Sequence, residues 1–195
     1  MTPFGLRAPG LRLTPPGPDD VDDITLACED PETAAWVTVP QPYAQQDAES
    51  FLTAVVAPGW ADGTELTWAI RGEGSSAPLL GMIGLHGIGE GSAEVGFWVA
   101  PWARRQGVLT ASLQAVLDHA LSPSGLALQR VVWQAFVGNW PSRRAAWRAG
   151  FRLEGTIRLE TVQRGVRRDS WVGTLLADDP RRPNEPWPAH APRSA

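Results

Sequence analysis

The chain has 195 residues, 43% of them hydrophobic and 19% charged, with a formal net charge of -4. That length suits one domain with a substantial core. No tract is long and apolar enough to span a bilayer, and the acidic balance argues against a general nucleic-acid binder, which carries a basic excess. Cys28 is the only cysteine, so an internal disulfide and a cysteine-rich metal site are excluded.

In chain order, the elements begin with a short strand around LRL and a turn at PPGPDD. Asp19, Asp20, Asp22 and Asp23 suit the first turn of a helix through VDDITLACED, where their charge complements exposed amides. Cys28 falls on one face of that helix, which favours a buried structural thiol. A second helix runs through QQDAESFLTAVVA, with Phe51, Leu52, Val55 and Val56 on its apolar face, and stops at Pro58-Gly59. Three strands follow, ELTWAIRG, PLLGMIGLHGI and SAEVGFWVA, separated by the turns GEGSS and GEGS. Then come an amphipathic helix after Gly107, the apolar strand LQRVVWQAF, and a short helix through RRAAWRAG ended by Gly150. The strands FRLEGTIRLETVQ and RDSWVGTLLA flank the turn RGVR.

This order predicts an α/β (α+β) fold, one mixed and mostly antiparallel sheet with helices on both faces. The expected organisation is a flexible N-terminus at 1–8, a single domain at 9–178 and a proline-rich tail at 179–195. The tail reads as disordered or loosely draped. The N-terminus MTPFGLRAPG has no apolar run of signal-peptide length, so a cytoplasmic location is expected. His86, His119 and His190 follow no metal-ligand spacing, and no metal is expected.

Two junctions carry chemical information. In VAPWARRQGVLTASLQAVLDHAL, residues 99 to 121, a strand ends and a helix starts just after Gly107. Backbone amides at a helix start are unsatisfied donors, and a glycine lets a bulky anion approach. A phosphate there meets several N–H groups and the positive end of the helix dipole, with Arg104 and Arg105 at the rim. The plainer alternative is a permissive turn with solvated arginines. No GxxxxGK[ST] stretch is present, so a Walker-type nucleotide site fails. A dinucleotide-binding GxGxxG after an early strand is also missing.

The second junction is NWPSRRAAWRAGF, residues 139 to 151. Asn139 and Ser142 are both good capping residues, a role that does not exclude a ligand nearby. The two junctions face one groove if the sheet brings their strand ends together.

The combination AEVGFWVAPWARRQGVLTASLQAVLDHA followed by NWPSRRAAWRAGF resembles the GNAT acyltransferase superfamily. More narrowly, it is similar to the branch of ribosomal-protein N-terminal alanine and serine acetyltransferases, whose closing hairpin is similar to LEGTIRLETVQRGVRRDSWVGTLL. The likeness covers about residues 9 to 176. It implies a GNAT-like fold and acetyl-CoA as cosubstrate. The pyrophosphate would be held by the backbone of Arg104, Arg105, Gln106, Gly107, Val108, Leu109 and Thr110. The resemblance also implies antiparallel neighbours that splay apart at Phe97, Trp98 and Val99, where the pantetheine arm pairs with exposed backbone. Asn139 would bind that arm near the thioester, with Ser142 close to the sulfur. The family's loop usually reads Q/R-x-x-G-x-G/A. Arg104 and Gly107 fit, whereas Leu109 replaces the small residue.

The implied reaction is transfer of acetyl to a primary amine by direct attack in a ternary complex, with no covalent enzyme intermediate. Glu94 is the preferred proton acceptor, through water or directly, or else a charge that attracts the amine. Glu65, Glu154 and His86 are alternatives on predicted strands. Ser142 is the candidate donor to the departing thiolate, or only a helix cap. Tyr43, the only tyrosine, is placed over the substrate mouth.

Among ten tryptophans, Trp36, Trp60, Trp68, Trp98 and Trp102 are assigned to an apolar acceptor pocket. Trp133, Trp147 and Trp171 are assigned to packing. Acidic residues Asp62, Glu65 and Glu94 favour a cationic amine, whether an amine-bearing small molecule or a protein N-terminus. The reading from a different class is a noncatalytic acyl-CoA-binding or interaction module that keeps the fold. A homodimer is a family-based expectation. Nucleic-acid binding, resting only on RGVRR and RRPN, is not expected, nor is membrane association.

Overall fold

Alternating burial along the strands builds one eight-stranded sheet, seen in a computed structural model that describes residues 1–74 and 77–192. The strands are β1 (Leu6–Ala8), β2 (Leu11–Thr14), β3 (Leu66–Gly72), β4 (Leu79–Gly89), β5 (Ser92–Val99), β6 (Arg130–Phe136), β7 (Arg152–Gln163) and β8 (Val166–Leu176). Their order in the sheet is β1-β2-β3-β4-β5-β6-β8-β7. All neighbours are antiparallel except β5 and β6. This is the mixed, mostly antiparallel sheet that the sequence predicts. The expected GEGSS turn falls partly on residues 75 and 76, outside the described residues.

The helices are α1 (Val21–Glu29), α2 (Pro31–Trp36), α3 (Gln45–Phe51), α4 (Ala57–Asp62), α5 (Val108–Leu121) and α6 (Trp140–Ala149). Two differences from expectation lie before β3. A separate helix, α2, starts at Pro31, whose fixed φ suits a first turn, and Asp30 Oδ2 accepts from Thr33 N at 2.8 Å. The helix expected to stop at Pro58-Gly59 instead continues to Asp62 and ends at Gly63, whose φ is +73°. A wide turn of π type, Leu52–Val56, joins α3 to α4 just before Pro58. Such a bulge relaxes the spacing in which a proline ring would meet the preceding turn.

The segment before residue 9, read as flexible, supplies β1, and the Met1 ammonium donates to Trp60 O at 2.7 Å. Phe4 stacks edge-on against Trp60 and Trp68, with centroids 5.1 and 5.8 Å apart. Among the described residues the tail has no regular element, but it is tied down. Trp147 Nε1 donates to Glu185 O at 2.8 Å, and the Trp187 ring lies 5.2 Å from that of Trp147. Residues 193–195 of the expected tail lie outside the described residues.

One buried cluster unites both halves of the chain. Leu13, Trp68, Ile70, Leu85, Val95, Leu117, Val131 and Leu175 are all fully or almost fully buried. Leu113, Val116, Leu117 and Ala120 recur at helical spacing and carry α5 onto the sheet. This packing fixes the start of α5 beside the end of β5.

Candidate active site

Strand β5 governs the site. On one side it pairs with β4 along its length, from Ser92↔Gly89 to Val99↔Gly81. On the other it pairs with β6 only from Ser92↔Arg130 to Val95↔Trp133. Beyond Val95 the two strands part, so Gly96 to Val99 present backbone groups without a β6 partner. The splay expected at Phe97, Trp98 and Val99 is therefore present, but between parallel neighbours and not antiparallel ones. On its other edge β6 stays paired with β8 from Arg130↔Leu176 through to Phe136↔Ser170, so only the edge facing β5 is left open.

At the mouth of this opening α5 begins. Gly107 is its N-terminal cap, with φ +76°, and no side chain caps the first turn. A Cβ built on Gly107 would meet nothing within 4 Å. Crowding is thus not what a side chain would cause there; the cost is the left-handed backbone itself. The amides of Val108, Leu109 and Thr110 form the open first turn. Leu109, the departure from the family loop, packs against the core instead of occupying the phosphate cradle. Arg105 and Gln106 are exposed, and Gln106 Nε2 donates to Trp102 O at 2.9 Å.

Arg104 is placed differently from the expected phosphate contact. Its guanidinium pairs with Asp30, lies 2.8 Å from Glu32 Oε2 and donates to Thr33 Oγ1 at 2.9 Å. Burial raises the Asp30 carboxyl, but the hydrogen bonds from Arg104 and Thr33 outweigh it and hold the group below its ordinary value. Arg104 therefore ties the loop to α2, and its side chain is committed before any anion arrives.

The second junction closes the opposite side. Asn139 caps α6: its Oδ1 accepts from Ser142 N at 3.2 Å. Ser142 is not the cap. Its Oγ accepts from Trp133 Nε1 at 3.0 Å, across from a ring that is only 2% exposed. A hydroxyl that accepts from an indole keeps its own proton free to donate elsewhere. The Asn139 Nδ2 amide is the group that remains to donate toward a bound arm.

Between the junctions lies a cleft of about 480 Å³, lined by Trp36, Glu94, Phe97, Trp98, Asn139 and Ser142 among others. Burial pushes the Glu94 carboxyl above its ordinary value; the nearby His86 pulls it down and Glu160 pushes it further up. The structure thus brings Glu94 of β5 and Ser142 of α6, far apart in sequence, to one cavity.

Five predicted acceptor residues, Tyr43, Trp60, Glu65, Trp68 and Trp102, are elsewhere. Trp68 is fully buried, with its Nε1 donating to Phe4 O at 3.0 Å. Side chains alternate along a strand, so Thr67 faces the cleft and Trp68 faces the opposite core. Tyr43 is 5% exposed and buried in the same core cluster as Cys28, away from the mouth. Burial pushes the Tyr43 phenol up, and it lifts the Cys28 thiol to about 12, which makes that cysteine an inert packing group. Glu65 does not line the cleft; its Oε2 lies 3.5 Å from Nδ1 of His86, which does. Trp60 is in the core and Trp102 donates to Leu79 O.

Sequence reasoning passed over Thr67, Gly84 and Gly96, which also line the cleft. The turn alone gave no signal for the pair: extending Gly89↔Ser92 would set Gly84 opposite Phe97, and only the register shift between His86 and Gly89 brings it opposite Gly96.

A family model described as an acetyltransferase (GNAT) domain matches residues 10–152. The chain is 35% identical over 100 residues to a Bacillus subtilis protein named "Putative ribosomal N-acetyltransferase YdaF", covering 50% of this chain and 54% of that one. It is also 35% identical over 82 residues to the Escherichia coli ribosomal-protein-serine acetyltransferase, covering 41% and 45% respectively. The chain thus spans about half the length of the curated relatives it matches. Mycobacterium smegmatis RimJ, solved in complex with CoA-disulfide, has a similar fold, with a TM-score of 0.77 at 22% identity over 90% of this chain and 87% of that one. Among the described residues, no helix is long and apolar enough to cross a membrane. Since the matched stretch carries β2 through α6, including the parted strands and both helix starts, this chain belongs to the GNAT acetyltransferase family.

Proposed function

We propose that the protein is an acetyl-CoA-dependent N-acetyltransferase that acts on a primary amine by direct attack in a ternary complex. The observation that carries this reading is the parting of β5 from β6 after Val95, beside an uncapped α5 and in the same cleft as Glu94 and Ser142. The open amides of Val108, Leu109 and Thr110 suit a pyrophosphate, aided by the helix dipole. Backbone groups of Gly96 to Val99 suit the amide-bearing pantetheine arm. Coenzyme A in the M. smegmatis RimJ complex supports the same ligand class.

Acetyl-CoA, as substrate, supplies the electrophilic thioester carbonyl. Glu94 acts on the acceptor side, where its half-buried carboxylate attracts an ammonium group. Ser142, polarised by the Trp133 indole, donates to the thiolate as the carbon–sulfur bond breaks. Placement of the two reactants supplies much of the acceleration, because well-oriented intramolecular reactions reach effective molarities of about 10⁵ M or more. Relatives named for ribosomal N-acetylation support a protein N-terminal amine as acceptor, with small amines as the other class.

The test is acetyl-CoA turnover with short peptides bearing free N-terminal serine or alanine, alongside a panel of small amines. Turnover with any member supports the enzyme. Tight acetyl-CoA binding without turnover across the whole panel supports the noncatalytic acyl-CoA-binding module instead.

A further inference from the structure

The floor of the cleft has an unusual side-chain pattern. Register pairs His86 with Glu94 and, on the same face two residues along, Gly84 with Gly96. The Nε2 edge of the His86 imidazole reaches over that glycine pair. A Cβ on Gly96 would sit 3.0 Å from His86 Nε2, and one on Gly84 would sit 3.1 Å from the same nitrogen. Any larger residue at either position would displace the ring, so the two glycines form a slot that sets its orientation.

The other ring nitrogen, Nδ1, lies 3.5 Å from Glu65 Oε2. With its hydrogen on Nδ1, facing that carboxylate, the neutral ring would hold a lone pair on Nε2 over the floor of the cleft. Glu94 stands directly opposite on β5, which sets a second carboxylate beside the ring.

A third feature points to a ligand independently. Thr67, paired with Gly84 in the same row across the sheet, is 3% exposed, and its Oγ1 has no hydrogen-bond partner. It too lines the cleft. Leaving a buried hydroxyl unsatisfied is destabilising, and a donor from a bound molecule would offset that cost. A primary ammonium brings three donors, and this floor offers Thr67 Oγ1, His86 Nε2 and the Glu94 carboxylate as acceptors.

We propose that His86 Nε2 is the proton acceptor for the incoming amine, oriented by Glu65, with Thr67 Oγ1 and Glu94 holding the amine nitrogen. This deepens the transferase reading and rests on it. The ammonium transfers one proton to Nε2 and regains its lone pair. The nitrogen then forms a bond to the acetyl carbon, and the carbon–sulfur bond breaks. The surplus proton on the new amide nitrogen leaves as the thiolate sulfur gains one. The sum is ammonium plus acetyl thioester giving amide, thiol and one proton, which His86 releases to solvent. Glu65 is a positioning residue in this scheme.

The experiment measures steady-state acetyl transfer from acetyl-CoA to a serine- or alanine-terminated peptide, with acetyl-CoA affinity followed by calorimetry. His86→Ala is expected to lower kcat about a hundredfold, within the range of general-base catalysis, while acetyl-CoA affinity changes less than twofold. Added imidazole, filling the vacated slot, is expected to restore at least tenfold. Glu65→Gln leaves ring and slot intact, and it is expected to lower kcat about tenfold. Thr67→Val removes only an unpartnered hydroxyl, so it should keep the thermal midpoint and raise the acceptor KM several-fold.

A His86→Ala kcat within twofold of wild type overturns the assignment of His86. If that variant fails to fold, an unchanged kcat in Glu65→Gln overturns it equally. An unchanged KM in Thr67→Val removes Thr67 from the site. A wild type that transfers acetyl to no amine overturns the transferase reading and this one together, whereas an active wild type with indifferent variants overturns this one alone.

Discussion

The starts of α5 and α6 look alike in sequence, each a polar or glycine-bearing turn that follows an apolar strand. In the fold they are opposites. At α5 the cap is Gly107, no side chain reaches the first turn, and the amides are left open. At α6 the cap is Asn139, whose carboxamide closes on Ser142 N, while Pro141 removes a further donor. An anion can be held only where donors lack internal partners, and of the two junctions only the first leaves them so. The second uses its amides internally and offers the cleft a hydroxyl, Ser142, which the Trp133 indole polarises.

The sharpest way to break this division is at Ser142. Ser142→Ala is expected to lower turnover about a hundredfold, as for loss of a single preorganised donor, with acetyl-CoA affinity within a few-fold of wild type. It also strands the buried Trp133 indole N–H, at about 1–3 kcal/mol of stability. Combining it with Trp133→Phe should recover part of that stability but none of the turnover. A double variant that regains activity would mean that Ser142 acts only through packing.

At the open junction, Gly107→Val is expected to weaken acetyl-CoA about tenfold, because a β-branched residue at positive φ costs about 1–2 kcal/mol. Calorimetry on the folded variant checks this. The matched change at the closed junction, Asn139→Ala, should lower the thermal midpoint through loss of about 1 kcal/mol of capping, with a smaller effect on affinity. Equal loss of affinity in both would erase the contrast between the junctions.

Glu94 sits between them and sharpens the comparison on the acceptor side. Glu94→Gln should raise the acceptor KM several-fold and leave acetyl-CoA binding unchanged. Its pH signature has a definite sign. Burial raises the folded-state pKa above the ordinary carboxyl value of 4.5. The protonated folded form is therefore favoured, and stability is lost as pH rises from that value through the higher folded one. Wild type should lose stability relative to Glu94→Gln across that interval. Parallel melting curves at all pH values would contradict the burial of this carboxylate.

The smallest effect is expected at Arg104. Its side chain is engaged by Asp30, Glu32 and Thr33, so Arg104→Gln should shift acetyl-CoA affinity less than twofold. These are partly exposed pairs, and their loss should cost about 1 kcal/mol or less. A tenfold loss of affinity would return Arg104 to the phosphate and weaken the argument that open amides alone define the junction.

Much of this protein was legible in its sequence because the signals are local. Periodicity gave the central meander, α5, β6 and the closing hairpin, and the resemblance carried by AEVGFWV and NWPS placed Glu94, Asn139 and Ser142 in one groove. Local signals also misled. Tyr43 and Trp68 were assigned to the acceptor mouth from residue type, yet the face on which a side chain emerges follows from register. Trp68 points into the core because its neighbour Thr67 points into the cleft. Arg104 was assigned to phosphate from its position beside Gly107, although the carboxylates that claim it lie more than seventy residues earlier in the chain.

The sequence by itself determined where strands and helices form, where a helix lacks a cap, and which residues carry reactive groups, since these depend on neighbours a few residues apart. Only the tertiary structure decided which of those groups are already spent on one another and which face the same cavity. It kept β6 paired with β8 to Phe136 while its pairing with β5 ends at Val95↔Trp133. It also laid His86 over two glycines beside an unpartnered threonine hydroxyl. Hydrogen-bond partners and sheet register are long-range choices, made by burial of the whole core, and no short stretch of the chain contains them.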